Sequence, residues 1–254
     1  MRLLLLGDPV AHSRSPAIHT AALREAGIAG WYRARRVDPA GFGAALLEMR
    51  EGRFDGANVT MPYKKAAAAA IGAADDTVAR TGAANTLRRI PVEAGPARIE
   101  ATNTDVAGII AASAAAGIPA RAPVLVLGRG GAAAAALAAF GSRVAGVAAR
   151  GELPPEWPAW PWGHAMEGAV LVNATPLGMG GEDLPAGLVE SAAGLVDLPY
   201  GGGAPTPAAN RARSLGVPVA DGVAVLVGQA AVSFTWWTGR EAPLEVMRRA
   251  AGAA

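Results

Sequence analysis

Leu125-Val126-Leu127-Gly128-Arg129-Gly130-Gly131 is the stretch on which the reading of this chain turns. An apolar run stops at a glycine and passes into alanine-rich sequence. That pattern predicts a buried strand over Pro123–Leu127, a tight turn and a helix over Gly131–Phe140. Glycines let the backbone turn sharply and approach a pyrophosphate closely. The helix N-terminus adds N–H donors and positive potential. The same turn also serves as a plain strand-to-helix connection, so its surroundings decide. The next predicted strand, Arg143–Val147, is followed by Arg150. An acid there would accept from a ribose 2′-hydroxyl and favour NAD; an arginine suits a 2′-phosphate and favours NADP.

Outward from this turn, short apolar runs alternate with helical patterns. Strands are predicted at Leu3–Leu6, Trp31–Arg35, Gly56–Val59, Val170–Asn173, Leu195–Leu198 and Val217–Val219. Helices are predicted at Pro16–Ala26, Pro39–Arg50, Tyr63–Ile71, Asp105–Ala116, Pro205–Leu215, Gly222–Trp237 and Glu241–Ala251. Ser15 reads as an N-cap with Pro16 at the first helical position and Gly27 as the stop. Asp105 reads as the acidic cap of its helix. Thr86–Ile90 and Arg98–Ala101 read as a hairpin. The alternation predicts an α/β fold with parallel sheets. Between Arg150 and Gly168 stand four prolines and the tryptophans Trp157, Trp160 and Trp162, where a crossover helix is normal. Proline at that density excludes a long helix, so an irregular, tryptophan-packed connection is expected.

With 52% hydrophobic and 17% charged residues, the chain has apolar surface enough for a core and is not a disordered sequence. A formal charge of +2, without an arginine-rich stripe, argues against a nucleic-acid partner. The absence of cysteine removes disulfides, thiolate catalysis and Cys-ligated zinc, and is compatible with a cytoplasmic setting. The apolar run Leu3–Leu6 is stopped by Gly7-Asp8-Pro9, so it reads as a strand and not a leader. No apolar segment has the length of a membrane span.

Polar candidates gather where strands end, which is where sites form in open α/β sheets. Asn58, Thr60 and Lys64 lie in Asn58-Val59-Thr60-Met61-Pro62-Tyr63-Lys64; Asn103 and Asp105 lie in the next such segment. A lysine and an aspartate brought together make a proton-transfer couple. Singly, each has an ordinary structural reading: surface lysine, helix-capping aspartate. With Asn85 and Asn103 they form a candidate polar pocket. Ser13 and Ser15, beside a helix start, are suited to a carboxylate. His12, His19 and His164 are not spaced as metal ligands, and no metal is expected.

Taken together these segments resemble the shikimate dehydrogenase family over nearly the whole chain. Similar to family motifs are Gly7 to His19, Asn58 to Lys64, Gly82 to Thr86, Asn103-Thr104-Asp105, Asn173 to Met179, Asp197 to Tyr200, and Asp221-Gly222 with Gln229. The resemblance implies two lobes: a substrate domain over 1–104, completed by 222–254, and a Rossmann-like NADP domain over 105–221 with a shortened crossover. It implies reversible NADPH-dependent reduction of 3-dehydroshikimate to shikimate, in chorismate and aromatic amino-acid biosynthesis, by a cytoplasmic monomer or homodimer acting on a small molecule. Lys64 and Asp105 would be catalytic. Ser13, Ser15, Asn58, Thr60, Lys64, Asn85, Asp105, Tyr200 and Gln229 would bind substrate. Gly128, Arg129, Gly130, Gly131, Ala132, Arg150, Thr175, Leu198 and Gly222 would hold NADP.

The departures lie on the cofactor side. The family usually has alanine where Arg129 stands, and Asn-Arg-Thr followed by another arginine where Ala149-Arg150-Gly151 stands. Here the second basic residue is missing and Glu152 is close by, so Arg129 is the candidate replacement as phosphate partner. The rival readings are a quinate/shikimate or aminoshikimate dehydrogenase using NAD, and a shikimate-type binding protein without turnover.

Overall fold

Four consecutive leucines make β1 (Arg2–Gly7) the apolar centre of a sheet, with Leu3 to Leu6 all buried. The computed structural model describes residues 1–71, 75–201 and 204–252. After β1 come α1 (Ser15–Glu25), β2 (Trp31–Arg36), α2 (Pro39–Arg50), β3 (Gly56–Val59), α3 (Lys64–Ala70), α4 (Asp76–Thr81), β4 (Thr86–Ile90) and β5 (Arg98–Thr102). The strands form one sheet in the order β2-β1-β3-β4-β5. β2, β1 and β3 run parallel; β4 and β5 are antiparallel to their neighbours. Burial on both faces is what the unbroken apolar run of a central parallel strand requires. In α2, Phe42, Ala45, Leu46 and Met49 recur at helical spacing and enter the core beneath the sheet. Asp38 caps α2 by accepting from Gly41 N at 2.7 Å.

The remaining elements are α5 (Thr104–Ala115), β6 (Val124–Leu127), α6 (Gly131–Phe140), β7 (Val144–Ala148), β8 (Val170–Asn173), β9 (Gly194–Asp197), α7 (Pro207–Ser214), β10 (Val219–Asp221), α8 (Gly222–Thr238) and α9 (Leu244–Ala250). The second sheet is wholly parallel, in the order β10-β9-β8-β6-β7. Its strand order reverses between β6 and β8, the switch point at which doubly wound sheets hold ligands. Ala133, Ala135 and Ala136 are buried under α6; small side chains let that helix lie close to the sheet.

The chain divides into two compact units, Met1–Thr104 with Gln229–Ala254, and Asp105–Gly228. The second division falls inside α8, which runs unbroken from Gly222 to Thr238.

Three local expectations need correction. Arg14, not Ser15, holds the N-cap position of α1, and Ser15 is already helical and buried. Thr104, not Asp105, opens α5, so Asp105 lies in the first turn. The last strand is Val219–Asp221 and not Val217–Val219, because its register is set by pairing with Leu195–Asp197. The short helix α4 was not expected; Asp75 caps it by accepting from Thr77 N and Val78 N.

Between β7 and β8 there is no helix. Val147 N donates to Pro158 O at 2.7 Å and Trp160 N donates to Val147 O at 2.8 Å, so the proline-rich segment straps the edge strand. Trp157 packs with one apolar cluster of this unit, while Trp160 and Trp162 pack with another. An edge strand covered in this way offers no free ladder to another chain. Among the described residues no helix is long and apolar enough to cross a membrane.

Candidate active site

In the first unit, Lys64 is the first residue of α3 and is half-buried. Its base is fixed from three sides. Tyr63 donates its hydroxyl to Val37 O at 2.9 Å and stacks on Phe42 with ring centroids 4.9 Å apart. Thr60 O accepts from Tyr63 N, and Lys64 O accepts from Ala84 N at 2.9 Å. The last bond places the start of α3 beside Asn85. Thr60 itself presses on Gly7: a Cβ there would stand 2.2 Å from Thr60 Cγ2, so only glycine fits.

Asn85 is 2% exposed and held at both ends of its amide. Its Oδ1 accepts from Thr104 N at 2.8 Å and from the Thr86 hydroxyl, and its Nδ2 donates to Gln229 Oε1 at 3.0 Å. Two residues far apart in sequence are thus joined as a rigid amide pair. Beneath them runs a buried polar network that sequence reasoning missed. Ser233 lies one helical turn from Gln229 and contacts Thr86 at 2.9 Å and Thr104 at 3.1 Å. The spacing of Gln229 and Ser233 on one face of α8 was the available signal.

Asn58 belongs to this network and not to an open pocket. It is 5% exposed; its Nδ2 lies within bonding distance of Asn85 O, Thr86 Oγ1 and Ser233 Oγ, and its Oδ1 accepts from Tyr32 Oη at 2.8 Å. An amide so engaged supports Asn85 from below. Asn103 is engaged in the same way. Its Nδ2 donates to Thr81 Oγ1 and Ala83 O, tying the β5–α5 junction to the end of α4. Ser13 lies just before α1 and Ser15 is its first residue; Ser15 N donates to Ser13 Oγ at 3.2 Å and Arg14 donates to Ala251 O at 2.6 Å.

In the second unit, Asp105 is half-buried in the first turn of α5. Gly128 ends β6 at φ 121°, and a Cβ on it would lie 2.6 Å from Ala174 O. Gly130 is the N-cap of α6 with no side-chain cap, and added Cβ atoms on Gly130 and Gly131 would meet only open space. This is a helix N-terminus presenting N–H groups into a glycine-lined cradle, which fits a pyrophosphate. Ala132 follows in the first turn of the helix.

The ends of β8 and β9 are joined by polar bonds. Asn173, fully buried, donates to Asp197 Oδ1 at 2.7 Å and accepts from Thr175 N and Oγ1. The other Asp197 oxygen accepts from the Thr206 hydroxyl. Burial pushes the Asp197 carboxyl up, against the opposing pull of Thr206 and Asn173. Leu198 N donates to Asn173 O at 3.0 Å, and a Cβ on Gly222 would lie 2.5 Å from Leu198 O. Thr175, Leu198 and Gly222 therefore lie together beyond the C-terminal ends of β8, β9 and β10. Tyr200, half-buried, follows Pro199. Among the described residues no group of three His, Asp or Glu is placed to hold a metal.

Comparison with known proteins agrees with this geometry. Residues 5–87 match the family described as shikimate dehydrogenase substrate binding domain, and residues 222–251 match the shikimate 5'-dehydrogenase C-terminal domain. The chain is 38% identical to a shikimate dehydrogenase (NADP(+)) of Anaeromyxobacter sp. (strain Fw109-5), over 98% of this chain and 95% of that one. It is 36% identical to the protein of the same name from Acidiphilium cryptum (strain JF-5), over 92% of this chain and 89% of that one. The crystal structure of shikimate 5-dehydrogenase from Thermus thermophilus with NADP(H) and shikimate matches with a TM-score of 0.85 and 34% identity, over 99% of this chain and 98% of that one. With ordered motifs, both sheets and the full length in agreement, the chain belongs to the shikimate dehydrogenase family.

Proposed function

We propose that the protein catalyses the reversible NADPH-dependent reduction of 3-dehydroshikimate to shikimate, as a cytoplasmic monomer or homodimer. The observation that carries this reading is the full-length match to a relative whose structure contains both NADP(H) and shikimate, at 34% identity. When bound, the nicotinamide supplies the hydride. The chain's own residues bind, orient and move the proton. Charge develops on the substrate's C3 oxygen during reduction; the Lys64 ammonium stabilises it and donates the proton. Asp105 orients that lysine and tunes it. Asn85 and Gln229, already paired at 3.0 Å, offer a preorganised amide surface to ring hydroxyls, and Thr60, between β3 and α3, is a further partner for them. Ser13 and Ser15, with Tyr200, take the carboxylate. The glycine cradle at Gly128, Gly130 and Gly131 supports the pyrophosphate.

The test is nicotinamide absorbance with shikimate and NADP+, repeated with NAD+ and with quinate. Reduction of NADP+ by shikimate is the expected result. Turnover with NAD+ or quinate alone transfers the assignment to a related specificity. Shikimate binding without any turnover makes the protein a binding protein.

A further inference from the structure

The glycine turn after β6 and the loop after β7 meet in the second unit. Gly128 N donates to Ala148 O at 2.8 Å, which joins the turn to the end of β7. Arg129 leaves this turn and lays its guanidinium along the backbone of that loop. A Cβ built on Gly151 would stand 3.2 Å from Arg129 Cζ and 3.2 Å from its Nη2. Among the described residues Arg129 makes one hydrogen bond, a long one of 3.4 Å to Glu152 O. Both Arg129 and Gly151 are exposed, so the guanidinium lies against backbone on one side and solvent on the other.

Arg150 is held differently. Its guanidinium lies 5.1 Å from the centre of the Trp162 ring, and Trp162 is anchored in the apolar cluster beneath the strap. The strap that replaces the crossover helix therefore draws this arginine onto an aromatic face. In a dinucleotide-binding unit the adenosine ribose lies beyond the end of the second strand, where an arginine accepts a 2′-phosphate. β7 is that strand here.

We infer that Arg129, projecting from the glycine turn, is the residue that selects the 2′-phosphate, and that Gly151 lets its guanidinium lie close against the backbone. Arg150, stacked on Trp162, is the secondary cation. The planar fork of Arg129 is exposed and, among the described residues, makes a single long hydrogen bond, which leaves it able to give the bidentate contact that phosphate recognition uses. The inference rests on the proposed use of NADP and names the side chain that enforces it.

Calorimetric titration with adenosine 2′,5′-bisphosphate and with 5′-AMP tests this without turnover, using wild type, Arg129→Ala, Arg129→Lys and Gly151→Val. The wild type is expected to bind the bisphosphate at least about tenfold tighter than 5′-AMP. Arg129→Ala is expected to lower bisphosphate affinity by about 10- to 100-fold with 5′-AMP changed less than about twofold. Arg129→Lys should recover part of the loss, since it restores charge but not the fork. Gly151→Val, which crowds the guanidinium without removing it, should weaken bisphosphate binding less than Arg129→Ala does. A wild-type preference for the bisphosphate that survives in Arg129→Ala overturns the inference while leaving NADP use standing. A wild type that binds the two ligands equally overturns both.

Discussion

Lowering the pH is expected to destabilise the first unit through one side chain, His19. Its imidazole is 1% exposed, stacked on Tyr32 with centroids 4.5 Å apart and tilted against Trp237 at 5.3 Å. Neither ring nitrogen has a hydrogen-bond partner. Burial therefore pulls the imidazole from 6.5 down to about 3, with the neighbouring Asn58 pulling the other way. In the unfolded chain the ring keeps its ordinary value. Between the two values the unfolded state binds a proton that the native state refuses, so stability rises with pH in that window. The contribution is complete above the unfolded value, is lost progressively as pH falls below it, and levels off near the folded value. At about 1.4 kcal/mol per pH unit, the loss is about 1.4 kcal/mol at about pH 5.5 and about 2.7 kcal/mol at about pH 4.5. The assay is urea unfolding followed by tryptophan fluorescence, comparing wild type with His19→Phe and, as a second variant, His19→Leu. Asp197, raised by burial, acts with the opposite sign, losing stability as pH rises; it is common to all three proteins and cancels in the difference. Wild type should lose stability relative to both variants by these amounts on acidification. Curves that stay parallel down to about pH 4.5, within about 0.5 kcal/mol, would refute the reasoning, because the native imidazole would then be accepting the proton.

Three further outcomes are expected. Lys64→Ala should lower turnover about 10²- to 10⁴-fold while shikimate affinity, measured by calorimetry, changes far less; unchanged turnover removes the proton-transfer role. Gly128→Ala should cost about 1–3 kcal/mol of stability in denaturant titration, because its φ of 121° and the 2.6 Å approach to Ala174 O both exclude a side chain. Ser233→Ala should cost about 1–3 kcal/mol, since Asn58, Thr86 and Thr104 lose a shared buried partner; an unchanged unfolding midpoint would show that the network closes without it.

The sequence was most legible where one local rule acted alone. α2 and α6 begin and end where their caps and apolar spacing say, and β3 and β8 are the apolar runs that were read. α4 escaped notice because a short polar helix has almost no apolar period; only its Asp75 cap marks it. Ser15 was misread because its Ser-Pro pattern suits an N-cap, while the chain enters the helix one residue earlier. The prolines of 151–168 excluded a helix from sequence alone, but nothing local said that Trp160 would bond to Val147 and strap an edge strand.

The site divides in the same way. Residue type and position at strand ends make Lys64, Asn85, Asp105 and the glycine turn candidates, because those choices answer to local backbone geometry and charge. Which polar side chains face inward was decided only by tertiary structure. Asn58 and Asn85 look alike in sequence and both are buried, yet Tyr32 and Ser233 engage Asn58 while Gln229 pairs with Asn85. Arg129 and Gly151 are likewise unrelated until β6 and β7 pair and bring one against the other. By itself the sequence determined the strand–helix alternation, the family and the chemistry available. The tertiary structure decided the hydrogen-bond partners, because these depend on contacts between segments far apart in the chain, which no local pattern encodes.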